Sequence, residues 1–301
     1  YDVEKAYEAI RKDAYVPPTG DDKSRWGDRE WWNGGYEARG GLTNYLKNGY
    51  VADDKTNESV ARTLEFALSD YCIAQMAKAL GKTADYEDLM RRAKNYRYLY
   101  NPKTKLFQAR NADGSWAGEH SGFTEGANWT YQFCVMQDVQ GLIDLMGGDE
   151  SFAAALDNVF DNGHYRHDNE PGHHYVYLYN YCGRFDKAQE RIPEILDTHY
   201  RNGADGLSGN DDCGQMSAWY LFSSLGFYPV TPASGEYALG IPRFPSARVE
   251  LPHGKVLTVR AEGLKEHKHL PVILFNGKKL DAPFIDIRDL MKGGVLEFKA
   301  E

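Results

Sequence analysis

The apolar residues of this 301-residue chain change their period once, near residue 232, and that change limits the fold. Before it, apolar positions recur at three- and four-residue steps, the pattern of helices with a buried face. The clearest stretch is ESVARTLEFALSDYCIAQMAKALG, residues 58–81, which Gly81 closes. The loop GKTA then leads into DYEDLMRRAKNYRYLY, where Leu89, Ala93 and Tyr96 share one stripe. Helices joined by so short a loop are antiparallel neighbours. The spacing predicts helices over roughly 3–12, 38–47, 58–80, 84–97, 127–145, 150–158, 172–182, 185–199 and 213–225. After residue 232 the runs ARVELP, VLTVRAEG, PVILFNGKKL and GVLEFKA alternate instead, and Asn276-Gly277 is a hairpin signal. The expectation is a mainly α chain, with a helical portion over 1–232 and a small antiparallel β domain over 233–301.

Charge and composition exclude several classes. A net charge of −9 argues against nucleic acid and anionic membrane as partners. No apolar run reaches the ~18 residues that a membrane span needs. Gly-x-Ser-x-Gly, P-loop and dinucleotide fingerprints are absent from the sequence. Aromatic residues make up 13% of the chain, with 21 Tyr and 6 Trp, which suits either sugar stacking or a large core. Cys72, Cys134 and Cys182 stand among apolar neighbours and read as buried thiols, although pairing stays formally open. Cys213 belongs to a polar loop near a candidate site. The first residues, YDVEKAYEAI, enter a helix at once without an initiator Met, so a piece of a longer protein is expected.

Polar loops rich in Gly, Asn, Asp and Trp interrupt the helices at 17–36, 100–125, 160–171 and 200–212. In a helical scaffold such loops are where a site is built. Three loop-to-helix junctions share one design: SGFTEGANWTYQF, RHDNEPGHHYVYLYNYCG and GNDDCGQMSAWY. In each, a carboxylate (Glu125, Glu170 or Asp212) stands at or just ahead of a helix start, with aromatics one turn on. One such acid is ordinary, because the helix dipole favours it. Three beside Gly/Asn loops suggest one pocket. Asp212, three residues before Gln215, reads as the N-cap of an acidic capping box, which favours its ionised form. That suits a general base or metal ligand. Glu125, between Phe123 and Trp129, is the candidate to be kept neutral as a general acid. A divided pair of this kind is what glycosidic-bond hydrolysis uses.

Around Glu170 the donors are oxygens: Asp168, Asn169, Glu170, Asn210, Asp211, Asp212 and backbone carbonyls. Such a set favours a hard cation, Ca²⁺ before Mg²⁺. His173 and His174 are adjacent and make a poor zinc pair; they are candidates to hydrogen-bond sugar hydroxyls, or only to pack. Trp31 and Trp32, in a Gly-rich loop, form either a stacking platform or a plug over the core.

Taken in order, SVARTLEFALSDYCIAQMAKALGK, TEGANWTYQF, NEPGHHYVYLYNYCG, residues 195–240 and the closing LFNGKKL resemble family 92 of the glycoside hydrolases, the calcium-dependent exo-α-mannosidases. The resemblance implies an (α/α)₆ toroid following an N-terminal β-sandwich, and release of terminal α-mannose with inversion, assisted by Ca²⁺. Carried onto matching positions, it implies Glu125 as general acid and Asp212 as general base. Asn169, Glu170 and Asp212 would be the metal ligands, and Asn169, His173, His174, Trp129, Trp31 and Trp32 the mannose-binding residues. Inversion would require the two carboxyls about 6.5–9.5 Å apart. Asn210 stands where some relatives carry a second acid, so help in orienting the water would pass to Asp211. Ser69 likewise replaces a frequent Asp. The helices are fewer than six pairs, which implies an incomplete toroid whose sandwich domain lies elsewhere, and a secreted, periplasmic or cell-surface setting. Two other readings stay open: a carbohydrate-binding fragment inactive by itself, and another toroid glycosidase or a polysaccharide lyase.

Overall fold

The computed structural model describes residues 1–21 and 39–300, so Trp31 and Trp32 lie outside the described residues. Two compact units emerge, Tyr1–Asp138 and Val139–Glu301. The change of sequence pattern near 232 falls inside the second.

The first unit is built on α1 (Val3–Tyr15), α2 (Leu42–Asn48), α3 (Ser59–Ala79) and α4 (Thr83–Arg92). Tyr7 and Ala14 of α1 pack on Ile73, Ala74 and Ala77 of α3 and Leu89 of α4, which places α3 at the centre. That explains why α3 is apolar on more than one side. Its middle carries Asp70, fully buried, which accepts from Arg39 (2.6 Å), Arg92 (2.8 and 2.9 Å) and the Tyr45 hydroxyl (3.0 Å). Burial pushes the Asp70 carboxyl up, and the two guanidiniums oppose that shift. The predicted 84–97 helix ends at Arg92 and continues as a 3₁₀ turn over Asn95–Leu99. A short antiparallel pair follows, β1 (Tyr100–Asn101) with β2 (Leu106–Phe107). The single helix expected over 127–145 is three pieces: α5 (Asn128–Tyr131), a 3₁₀ turn Met136–Asp138, and α6 (Val139–Met146), which opens the second unit.

The second unit continues with α7 (Asp149–Asp161), α8 (Phe185–His199) and α9 (Gln215–Leu225). Between α7 and α8, Tyr175–Cys182 was expected as α-helix and forms 3₁₀ turns. All its side chains but Tyr181 are buried, so tertiary packing decides its winding. A three-stranded antiparallel sheet joins β3 (Phe227–Tyr228), β4 (Glu236–Leu239) and β9 (Phe284–Asp286). A five-stranded sheet runs in the order β5 (Ser246–Glu250), β6 (Val256–Ala261), β10 (Gly294–Lys299), β7 (Val272–Phe275), β8 (Lys278–Lys279). Contrary to the antiparallel expectation, β10 lies parallel to β6; a helical turn, α10 (Ile287–Leu290), precedes it. Asn276 (φ 51°) and Gly277 (φ 79°) supply the β7–β8 turn, as the dipeptide predicted. Two buried amides stitch strands to helices. Gln189 of α8 donates to the Gly240 and Leu270 carbonyls, and Asn180 donates to the Leu239 carbonyl.

Candidate active site

In the first unit, the loop carrying Glu125 is held at the start of α3. The Gly122 carbonyl accepts from Val60 N (2.9 Å) and Ala61 N (3.0 Å), occupying amides that a helix start leaves open. Gly122 has φ 85°, and a Cβ there would stand 2.6 Å from the Ser59 hydroxyl, so only glycine brings the carbonyl in. Asp53, almost buried, ties both sides by accepting from Ser59 (2.9 Å) and Ser121 (2.6 Å). The Tyr131 hydroxyl donates to the Thr124 carbonyl at 2.8 Å. Glu125 itself is exposed and left-handed (φ 50°), although Phe123 and Trp129 are partly buried.

In the second unit, two of the three expected junctions meet. A Cβ on Gly209 would lie 2.8 Å from both the carbonyl carbon and Cα of Asp168. The loop leading to Asn169 and Glu170 therefore abuts the loop leading to Asn210, Asp211 and Asp212. Glu170 begins a short 3₁₀ turn, and the Asn169 side chain accepts from Glu170 N at 3.1 Å. Arg166 pairs with both Asp168 oxygens (2.8 and 2.6 Å) and holds that carboxyl below its usual range.

The Asp212 side chain does not cap α9. The helix begins at Gln215, with Gly214 at the N-cap (φ 92°) and no side-chain cap bond there. Asp211 accepts instead, from Ser217 N (2.9 Å) and the Ser217 hydroxyl (3.0 Å), while its carbonyl accepts from Gln215 N (2.7 Å). The reason is an extra turn: Asp212 (φ 42°) and Cys213 (φ 59°) are both left-handed, which shifts the helix start and leaves Asp212 exposed. Left-handed backbone at non-glycine residues costs about 1–3 kcal/mol each and gathers at functional sites. Glu125 and Asp212 are both of this kind. Nor does Gln215 close a capping box; its amide donates to His173 Nδ1 (3.2 Å) and the Tyr228 hydroxyl (3.0 Å).

Beneath these loops lies a cluster of rings that sequence reasoning did not single out: Tyr165, His167, Tyr200, Trp219 and Tyr228. His167 is 1% exposed, and burial, with His173 and His199 nearby, pulls its pKa down to about 2. Burial also lowers His173 and His199, and it raises Tyr200. His173, expected against a sugar hydroxyl, is 2% exposed and engages both ring nitrogens within the protein, Nδ1 with Gln215 and Nε2 with the His167 carbonyl (3.0 Å). His174 is buried and packs edge-on to Tyr175. Asn210 is exposed, and Trp129 is partly buried in α5. The only local clue to the cluster was the His-rich string itself.

No disulfide joins the four cysteines; Cys134 and Cys182 are buried as expected, Cys72 is only half-buried, and Cys213 is exposed. Among the described residues no three His, Cys, Asp or Glu side chains converge as a metal-ligand set. A cation here would need amide and carbonyl oxygens as well, which are donors that Ca²⁺ accepts. No helix of the described residues is long and apolar enough to cross a membrane.

A sequence model described as the glycosyl hydrolase family 92 catalytic domain matches residues 1–301. A fungal protein of Arthroderma benhamiae, described as an uncharacterized secreted glycosidase, is 29% identical over 98% of this chain and 42% of its own length. A family 92 inverting mannosidase of Bacteroides thetaiotaomicron has 33% identity and a TM-score of 0.87, over 99% of this chain and 43% of its own. A family 92 α-mannosidase of the same bacterium has 39% identity and a TM-score of 0.88, over 99% of this chain and 39% of its own. That enzyme has also been solved in complex with mannoimidazole. The chain thus spans about two fifths of the length of these relatives.

Proposed function

The chain belongs to glycosyl hydrolase family 92, and from that premise we propose that it acts in the hydrolysis of terminal α-linked mannose on glycans, with inversion. Its helices would supply part of an (α/α)₆ toroid. Support comes from the mannosidase relatives, and above all from the abutment of Asp168 on Gly209, which sets the Asn169–Glu170 loop beside the loop bearing Asp212. In this reading Glu125 protonates the leaving oxygen and Asp212 takes a proton from the attacking water. Both are exposed, as groups that must meet substrate are. Asp211, committed to Ser217, keeps the turn before α9 in place, and exposed Asn210, two residues before the base, would help orient the water. Asn169 and Trp129 would contact the sugar, with Trp31 and Trp32 as further candidates from the sequence, whereas buried His174 would pack behind them.

Asn169, Glu170 and Asp212, with carbonyl oxygens, would hold Ca²⁺, whose charge would bind the sugar hydroxyls and favour a distorted ring. The protein is proposed to work outside the cell, in line with the secreted description of the fungal relative.

The test is to incubate the protein with an α-mannoside and follow the product by proton NMR. β-Mannose as the first anomer is expected. α-Mannose would refute inversion, and an unsaturated product would indicate a lyase. A second reading follows from the length comparison: the chain by itself binds mannose without turnover. Calorimetry showing Ca²⁺-dependent mannose binding, with no release at high protein concentration, would favour it.

A further inference from the structure

The ring cluster beneath the two loops contains a hydrogen-bond chain whose direction is fixed by its end. The Met216 carbonyl, in the first turn of α9, can only accept, so the Tyr200 hydroxyl donates to it at 3.0 Å. Having spent its proton there, the Tyr200 oxygen accepts from His167 Nε2 at 2.7 Å. His167 is then the Nε2–H tautomer, and its Nδ1 accepts from the Tyr165 hydroxyl at 2.8 Å. Every polar atom of the buried imidazole is satisfied in one direction only. A parallel strand of bonds runs beside it. His173 Nε2 donates to the His167 carbonyl, and Trp219 Nε1 donates to the His173 carbonyl at 2.8 Å. The rings are packed as tightly: Tyr200 stacks on Trp219 with planes 3° apart, and His167 meets Trp219 edge-on at 4.4 Å.

We propose that His167 and Tyr200 are positioning residues: their one-way chain bolts the Asn169–Glu170 loop to the first turn of α9 and so fixes where Asp212 stands against that loop. This goes beyond the glycosidase reading by adding two residues outside its acid, base, metal and sugar-binding set, and it rests on that reading only for its kinetic consequence. The two loops arise about forty residues apart in sequence, and the segment before α9 carries two left-handed non-glycine residues. Such a segment needs an anchor from outside itself, and the Tyr200–Met216 bond supplies one at the point where the turn becomes helix.

The experiment uses three variants. Tyr200→Phe keeps the stack on Trp219 and removes both bonds; His167→Phe keeps a ring and removes both of its bonds; His167→Gln returns a donor near Nε2. Amide hydrogen exchange, measured without substrate, is expected to rise about tenfold over residues 207–217 in the two Phe variants, to be unchanged in β5–β6, and to be largely restored in His167→Gln. On an α-mannoside, kcat is expected to fall about tenfold in the Phe variants with KM changed less than about twofold, because the base is displaced while sugar contacts remain. Unchanged exchange at 207–217, an equal rise throughout the second unit, or a local rise with unaltered kcat would each overturn the proposal. If the wild-type protein hydrolyses no mannoside, the hydrolytic reading fails for this chain, and the exchange pattern still decides whether the hydrogen-bond chain anchors the loop.

Discussion

Gly209→Ala probes the contact on which the site depends. The added methyl would begin 2.8 Å from two Asp168 backbone carbons, and nearer still to the carbonyl oxygen. Carbon atoms rest at about 3.5–4.0 Å, so the two loops must part by at least about 0.7 Å. No rotamer change relieves a clash between Cβ and backbone. Overpacking of this kind costs about 1–3 kcal/mol, and loops that border solvent yield more readily than a core, so about 1 kcal/mol is expected. For a unit of this size that lowers the unfolding midpoint by about 2–4 °C. Catalysis is far less tolerant, since a misplacement near 1 Å can cost about 10²-fold. The expected result is a fall of about 10- to 100-fold in kcat/KM on an α-mannoside, with only the modest thermal shift by calorimetry. Gly118→Ala is the control, because nothing lies within 4 Å of its Cβ. Wild-type activity and midpoint in Gly209→Ala would refute the abutment. A thermal shift without loss of activity would mean that the contact is real but serves only stability.

Other perturbations have equally definite signs. The folded His167 refuses a proton down to about pH 2, whereas an unfolded histidine takes one below about 6.5. Stability is therefore complete above that value and falls as the pH drops, by about 2 kcal/mol at pH 5 from this residue alone. His173 and His199 shift in the same direction and add to the loss. Equal urea midpoints at pH 7.5 and 5 would contradict this. Asp70→Asn leaves Arg39 and Arg92 buried without their counter-charge and should cost about 3–5 kcal/mol in urea unfolding; a loss below about 1 kcal/mol would refute the ionic account. Glu125→Gln should slow mannosides with poor leaving groups far more than activated ones, and equal losses would argue against the acid role. Complete chelation should abolish hydrolysis and lower the thermal midpoint, and activity that survives it would reject the metal.

Much of this was legible in the sequence because the signals are short-ranged. Three- and four-residue periodicity gave away α3, α4, α8 and α9, and Asn276-Gly277 announced its hairpin. Each depends on residues within one or two turns of each other, where spacing and side-chain direction are coupled. The string NEPGHH beside the string GNDDCG was enough to nominate both loops of the second unit.

Where spacing offered two answers, tertiary structure chose. Spacing to Gln215 named Asp212 as the cap; the left-handed turn through Asp212 and Cys213 instead gave the Ser217 amide to Asp211 and turned Asp212 out to solvent. His173 could face sugar or core, and the core took it, because Gln215 and the His167 carbonyl lie on either side of its ring. The parallel seating of β10 on β6 and the 3₁₀ winding of Tyr175–Cys182 were likewise settled by neighbours distant in sequence. Amino-acid order by itself determined most of the helices, the strands on either side of Asn276-Gly277, and the family they belong to. The three-dimensional packing decided which carboxylate is exposed and which histidine is a brace: a left-handed turn before α9 set the first, and a hydrogen-bond partner some forty residues away set the second.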